Sequence, residues 1–286
     1  MNPDANYVGS IGVDMHVVDG LYQGSRTYMV EIFSRVIVSC PNIRFYLFCC
    51  DVKSLEDLSV SFLMPNVVIV PNISKNSLVR LIFQFPYFQL KYRLDFFHVQ
   101  YILPVVMFSK GVVSLHDILF ESHPEYFTKF FLLRSKILMR WSAKRANKIF
   151  TISSFSEREI CKRYRVSANR LELAFCGVAT DKFYPGEDGI EHLIARNLLS
   201  KRYILSVGRL DPRKNMINLV KAYSLSAVQI PLIIIGQSGI LVDELYSTID
   251  TLNLKDKVII LNDVADSELG ALYRHASFFV FPSFAE

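Results

Sequence analysis

Two α/β domains, each built on a doubly wound parallel sheet, are predicted from three observations: the length of 286 residues, short β-rich runs alternating with helix-period segments, and one charged Pro/Gly-rich stretch between them. At roughly 150 residues per domain the chain holds two, each large enough to bury its own core. With 51% hydrophobic and 21% charged residues, the composition excludes disordered, collagen-like and disulfide-rich small-domain classes. The boundary falls in residues 181–189, where Pro185, Gly186 and Gly189 cluster among charges, giving an N-terminal domain of residues 1–185 and a C-terminal domain of 186–286.

Taken in order, residues 8–13 form an apolar first strand. In residues 25–39, Met29, Ile32, Phe33, Val36 and Ile37 recur at the period of an amphipathic helix, with Ser25 as its expected N-cap. Runs 43–50, 67–70, 95–99 and 111–115 read as strands separated by helical segments. A helix starts within residues 153–156, because 154–157 and 156–159 both match the S/T-x-x-E capping box. The second half alternates more cleanly: strand 203–207, helix 216–223 with Met216, Leu219, Val220 and Tyr223 inward, then strands 232–235 and 258–261, a helix from Ser267, and strand 278–281. Repeated βαβ units of this kind imply parallel sheets and two Rossmann-like domains.

Charge is uneven: residues 1–185 carry 22 basic and 15 acidic groups, residues 186–286 carry 10 and 12. The excess concentrates in 129–148, where a helix would align Lys129, Lys136, Arg140 and Lys144 on one stripe, a surface for anionic lipid or another polyanion, or simply a solvated face. Cys40, Cys49, Cys50, Cys161 and Cys176 show no metal spacing and are expected as unpaired core residues of a reducing compartment. His16, His98, His123, His192 and His275 likewise lack ligand spacing, so no metal is expected. The N-terminus has no signal-like pattern, and the uncharged stretches 58–74 and 222–242 are broken by Pro, Gly and Asn or Gln rather than continuous as a membrane span requires.

Ligands of doubly wound folds bind at the carboxyl ends of strands, so the strand-to-helix turns are the places to look. The most informative is Gly208-Arg209-Leu210-Asp211-Pro212-Arg213-Lys214-Asn215: Gly208 permits close approach, and Arg209 and Lys214 place two cations beside a helix start that already favours phosphate. The same residues would equally serve as an ordinary helix-start loop. Gly236-Gln237-Ser238-Gly239 is a second, weaker turn able to admit a nucleotide. Gly24 and Arg26 open the first helix, and His116-Asp117 ends a strand where an imidazole can meet a sugar hydroxyl or be satisfied by backbone.

With those residues in view, the chain resembles the family 4 glycosyltransferases of GT-B fold, a retaining class that uses nucleotide-activated sugars. The segments that carry the resemblance are YQGSRTY at 22–28, SLHDILFESHPEYF, TISSFSEREI, FCGVATDKFYP, YILSVGRLDPRKNMINLVKAY and NDVADSELGALYRHASFFVFPSFAE, in family order over nearly the whole chain. The resemblance implies two domains facing a cleft, with Arg209 and Lys214 on the donor diphosphate, Gly24 near the donor phosphates and His116 against the transferred sugar. It also implies the Val264 backbone at the nucleobase and Glu286 as the first glutamate of an E-x7-E motif. The sequence stops at Glu286, before the second glutamate and the closing helices, so the second domain is expected to be incomplete, with an exposed apolar edge near 278–281 and weak donor binding and turnover.

The function expected is transfer of a hexose, mannose among the candidates, from a GDP- or UDP-hexose donor to a saccharide or lipid-linked acceptor in cell-envelope polysaccharide assembly. No cofactor beyond the donor is expected, and no nucleic-acid partner. The expected location is the cytoplasm, with peripheral contact at the inner membrane face. A nucleotide-sugar epimerase of the same fold and a polyanion- or membrane-binding module are the alternatives. A dinucleotide-dependent enzyme is disfavoured, since no G-x-G-x-x-G follows the first strand.

Overall fold

A computed structural model describes residues 7–19, 24–71, 73–196, 198, 202–236 and 242–285. The chain forms two compact units, residues 1–122 with 127–176, and residues 123–126 with 177–286. In the first, β1 (Gly9–Asp14), β2 (Ile43–Phe48), β3 (Val67–Val70), β4 (Phe96–Gln100), β5 (Lys110–Ser114), β6 (Lys148–Thr151) and β7 (Leu171–Leu173) make one sheet of order β3-β2-β1-β4-β5-β6-β7. Every neighbouring pair is parallel. Parallel pairs need crossovers, and helices supply them: α1 (Gly24–Ser39), α2 (Val52–Glu56), α3 (Ser77–Val79), α4 (Phe85–Lys91), α5 (Leu119–Ser122), α6 (Lys129–Arg145) and α7 (Ser154–Tyr164).

A parallel sheet is covered on both faces, and β2 shows why its sequence is apolar throughout. Phe45 and Leu47 join Met29, Phe33 and Ile37 of α1 on one face. Tyr46 and Phe48 join Phe85 of α4, Met139 of α6, and Ile160 and Tyr164 of α7 on the other. The strand order reverses between β1 and β4, so the switch point lies beyond the carboxyl ends of those two strands.

The second unit holds β8 (Ile204–Val207), β9 (Leu232–Ile235), β10 (Val258–Leu261) and β11 (Phe278–Phe279), all parallel in the order β10-β9-β8-β11. With them come α8 (Ile190–Ala195), α9 (Met216–Leu225), α10 (Val242–Thr251) and α11 (Asp266–Arg274). Met216, Val220 and Tyr223 of α9 are buried, and Leu219 packs beside them, as their spacing predicts. Phe278, Phe279 and Phe281 are each about half exposed.

Several local expectations change. The Pro/Gly-rich stretch belongs to the second unit, because α11 anchors it: Arg274 donates from Nε to Asp188 O (3.2 Å) and from Nη1 to Lys182 O (3.1 Å), and its guanidinium lies 4.5 Å over the Tyr184 ring. The units therefore part between Cys176 and Gly177, upstream of the 185/186 boundary read from composition. Helix α7 starts within the expected residues, capped by Ser153 accepting from Ser156 N at 3.1 Å, but Glu159 pairs with Arg163 at 2.6 Å instead of closing a capping box. Ser25 lies inside α1, which starts at Gly24. All five cysteines are free, but only Cys49 is fully buried and Cys176 is exposed. Among the described residues no helix is long and apolar enough to cross a membrane.

Gly12, in the middle of β1, is a packing requirement: a Cβ there would overlap Leu94 Cδ1 and lie 2.7 Å from Phe97 Cδ2. Gly12→Ala should lower stability by about 1–3 kcal/mol, read as a lower midpoint in chemical denaturation; an unchanged midpoint would show that this core yields freely.

Candidate functional site

In the first unit, the carboxyl ends of β1, β4 and β5 bring a set of polar groups into a buried place. Asp14, at the end of β1, is 4% exposed. One of its oxygens accepts from the His16 backbone N–H (3.1 Å) and the other meets His16 Nδ1 (2.8 Å), which holds the ring with Nε2 directed away from the carboxylate. On β4, Gln100 donates from Nε2 to Ser25 O (2.9 Å) and ties the first turn of α1 to the sheet. His98, on the same strand, places Nε2 at 2.9 Å from Ser114 Oγ, which also lies 3.3 Å from the Tyr28 hydroxyl.

His116 follows β5 by two residues and is buried, with Nε2 lacking a hydrogen-bond partner. Its ring sits 4.4 Å from that of Tyr28 and stacks at 5.6 Å on Tyr101. Tyr101 holds φ +64, a left-handed backbone that a non-glycine residue adopts at a cost. Burial pushes the Tyr28 and Tyr101 hydroxyls upward in pKa, and pushes His116 below the usual imidazole range against the opposing pull of Asp117. Burial also drives His98 down to about 4, with Asp14 resisting and His116 assisting. Both imidazoles are thus neutral at pH 7, and each keeps a buried nitrogen, His98 Nδ1 and His116 Nε2, without a partner. Such groups are rare enough in folded proteins to mark a functional place.

Gly24 opens α1, and among the described residues nothing lies within 4 Å of where its Cβ would stand. Tyr22 and Gln23 lie outside the described residues, as do residues 237–239 and Glu286.

In the second unit the loop after β8 is held to its neighbours. Gly208 N donates to Ile235 O (2.9 Å), Phe284 N to Arg213 O (2.8 Å), and Asn215 Nδ2 to Pro282 O (3.0 Å). Pro212–Lys214 form a single 3-10 turn, and Asn215 (φ +62) redirects the chain into α9. Lys214 is only 8% exposed; its Cδ lies 3.6 Å from the Cβ position of Gly208, and its Nζ stands 4.8 Å over the Phe281 ring. Arg209 is 58% exposed and its Nε is 3.4 Å from Asp211, so the two cations differ: one is buried, the other is outward and paired within the loop.

Gly236 faces Gly208 so closely that a Cβ would overlap the Gly208 carbonyl oxygen. Its missing side chain therefore admits protein backbone, where the sequence suggested a nucleotide. Val264 is partly buried on the core beside α11. Its loop is fixed by a residue the sequence reading missed, Arg196, which pairs with Asp263 (3.1 Å) and Glu268 (2.9 Å), while Glu268 accepts from Ala265 N at 2.8 Å. Arg196 holds the Glu268 carboxyl below the usual range. The visible signal was Glu268 three residues after Ala265, at the start of α11.

The basic stripe lies on α6, but half of it is engaged: Lys136 is 4.0 Å from Glu121, and Arg140 donates to Arg163 O (3.3 Å) and covers the Tyr164 ring. Lys129 and Lys144 are exposed. His98, Ser114, Tyr28 and the Asp14–His16 pair were not singled out as site residues. His98 and Gln100 share one face of β4 by period two, the only pattern that could have drawn attention to them.

Because the unfolded chain binds a proton at His98 below about pH 6.5 and the folded protein does not until about 4, acid selectively stabilises the unfolded state. The loss begins as pH falls through 6.5 and reaches its full size, on the order of 3 kcal/mol, below about pH 4. Denaturation across that window should show His98→Gln losing stability less steeply than wild type; parallel curves would show that the burial of His98 carries no such cost.

The sequence matches two family models: Glycosyltransferase Family 4 over residues 42–182 and Glycosyl transferases group 1 over residues 191–286. Among curated relatives, O-antigen chain mannosyltransferase B of Escherichia coli is 29% identical over 184 residues, covering 62% of this chain and 48% of the relative. O-antigen chain mannosyltransferase RfbU of Salmonella typhimurium is 26% identical over 182 residues, covering 64% and 48%. The chain thus spans about half the length of these relatives. Similar solved structures include sucrose-phosphate synthase of Thermosynechococcus elongatus (TM-score 0.71, 16% identity, 96% of this chain and 76% of that one) and Anabaena HepE in complex with UDP and glucose (TM-score 0.70, 18%, 96% and 74%). Two successive family matches over the two units, on two parallel sheets shared with these structures, place the chain among the family 4 glycosyltransferases of GT-B fold.

Proposed function

We propose that the protein transfers a hexose, mannose first among the candidates, from a nucleoside diphosphate sugar to a hydroxyl of a saccharide or lipid-linked acceptor, with retention at the anomeric carbon. In that reaction the bond from the anomeric carbon to the diphosphate oxygen breaks, the acceptor oxygen takes its place, and the acceptor proton leaves with the diphosphate. The second unit takes the donor and the first the acceptor. The mannose reading is supported by the names of the two O-antigen relatives. The lipid-linked acceptor is supported by a Campylobacter jejuni relative named as a 4-alpha-N-acetylgalactosaminyltransferase of a diphospho-undecaprenol saccharide, 30% identical over 129 residues. A nucleotide donor is supported by the UDP and UDP-glucose complexes of HepE. Relatives named as transferases favour transfer over epimerisation.

The observation that carries the reading is the buried cation at the end of β8. Lys214 is packed across Gly208 immediately before the α9 amino end, where free N–H groups and the helix dipole favour an anion. A lysine held there in advance places a positive charge where a diphosphate would sit, and cations positioned beforehand are the ones that stabilise a leaving group most. Arg209, on the outward side of the same loop, would leave Asp211 and add a second charge. His116, neutral and with Nε2 unpartnered, would accept or donate a hydrogen bond to a sugar hydroxyl. The resemblance adds Gly24 near the donor phosphates, the Val264 backbone at the base and Glu286 at the sugar. No metal or further cofactor enters this reading, since side chains supply the charge the leaving group needs. The protein would act on the cytoplasmic side, touching the membrane peripherally through the basic side of α6.

Thermal-shift titration with GDP, UDP and their hexoses should raise the melting temperature of the protein. Lys214→Ala should weaken that binding by a factor corresponding to about 1.5–3 kcal/mol, with Arg209→Ala weaker in effect. Gly208→Ala tests the loop separately, since the fold has room for its Cβ. Unchanged nucleotide affinity in Lys214→Ala would remove the loop from donor binding.

A further inference from the structure

We propose that a cavity at the amino edge of the first sheet binds a hexose monophosphate, remote from the strand ends that carry Asp14, Gln100 and His116. The cavity holds about 500 Å³, within the range of small-molecule sites (roughly 300–1,000 Å³). Its walls come from the first residues of β1 and β2, the last turn of α4 and the turn into β4. Gly9 and Asp14 are the two ends of β1, and at about 3.3 Å per residue this strand of six residues separates them by about 16 Å. An occupant of the cavity therefore lies away from the carboxyl edge, and its binding is read without turnover.

Three cations line the cavity, Arg44, Lys91 and Arg93. Arg44 is held in advance: its Nη1 donates to the Tyr7 hydroxyl (3.1 Å) and to Pro65 O, and its guanidinium lies 5.0 Å over the Tyr7 ring. Lys91, the last residue of α4, places Nζ 5.0 Å over the Tyr92 ring, which itself packs on Tyr46 with centroids 4.6 Å apart. Arg93 follows with φ +48, and its backbone is pinned by Ser10 Oγ, which donates to Arg93 O (3.1 Å). Asp95 is the one acid among the described lining residues, and the stretch before it, 58–94, contains none.

This mixture of charges selects the occupant. Asp95 directs one oxygen, Oδ2, at Ser10, accepting from the backbone N–H (2.8 Å) and from Oγ (3.1 Å). A carboxylate fixed among three cations opposes a bare anion but accepts hydrogen bonds from hydroxyls. The cations suit a phosphate, Arg44 as a planar fork and Lys91 as a point charge. A phosphorylated sugar carries both kinds of group on one molecule, together with C–H faces that suit the Tyr92 ring. Inorganic phosphate would leave most of the volume unfilled and meet Asp95 without a hydroxyl to offer. Nucleic acid needs cations spread along a track, and here they gather in one hollow. The inference goes beyond the proposed transfer and stands or falls separately from donor binding.

The test is calorimetric titration of the 286-residue chain with glucose 6-phosphate, mannose 6-phosphate and glucose 1-phosphate, beside inorganic phosphate and glucose alone. Saturable binding of at least one hexose monophosphate is expected, with inorganic phosphate and glucose each binding at least about tenfold more weakly. The Lys91→Gln, Arg93→Gly double variant should lose at least about tenfold in that affinity. Its fold should hold, since both residues are exposed and glycine suits the φ at position 93. Asp95→Asn removes one charge and keeps an oxygen for Ser10. It should narrow the preference for the hexose monophosphate over inorganic phosphate, and it supplies a second reading if the double variant melts early. Lys214→Ala should bind the hexose monophosphate as wild type does, which separates this cavity from the loop after β8. The proposal is overturned by no hexose monophosphate bound at millimolar concentration, by inorganic phosphate bound as tightly, by wild-type affinity in the folded double variant, or by binding lost in Lys214→Ala alone. The donor reading survives each of these results.

Discussion

Every strand in both sheets runs parallel to its neighbours, and this one constraint gathers all the strand-to-helix turns of a sheet along a single edge. In the first sheet that edge receives Asp14, Gln100, Ser114 and His116, residues far apart in sequence that no local motif would unite. In the second it receives the Gly208 loop, Gly236 and the Val264 loop. The apolar demand that parallel strands make on both faces explains why β2 and β9 are almost wholly hydrophobic, and why polar residues within strands, such as His98, stand out.

The two edges solve different electrostatic problems. Around His98 and His116 the protein holds imidazoles neutral by burial and links them through a serine hydroxyl and aromatic rings, an arrangement suited to hydrogen bonding with uncharged hydroxyls. After β8 it buries the positive charge of Lys214 against an aromatic face and a helix start, an arrangement suited to an anion. Arg196 acts at one remove, since its pairing with Asp263 and Glu268 sets the backbone of the loop that carries Val264.

What could be read from the residues follows how local each signal is. The α1 and α9 periods were legible because one face of each helix meets one core. The loop at 208–215 was legible as a cation-rich helix start, but not the division of labour between a buried Lys214 and an outward Arg209, which depends on Phe281 and Asp211. The Pro/Gly stretch looked like a linker because composition carries no information about Arg274, some ninety residues further on, which binds its carbonyls. The cations of α6 were visible as a stripe, whereas the exposure of Phe130, Leu133 and Ile137 needed the packing of the opposite side to be known. The contact between Tyr28 and Ser114 spans 86 residues and follows only from strand order.

Tyr101 shows how such a site limits later change. Its left-handed backbone would be relaxed by glycine, but the ring that this residue carries packs against the core of the first unit, so the relief would come with lost packing. The same exchange would delete the ring lying against His116. Evolution toward greater heat tolerance would meet an obstacle at this residue, since the conformation that is hardest to keep is also the one that presents the aromatic surface.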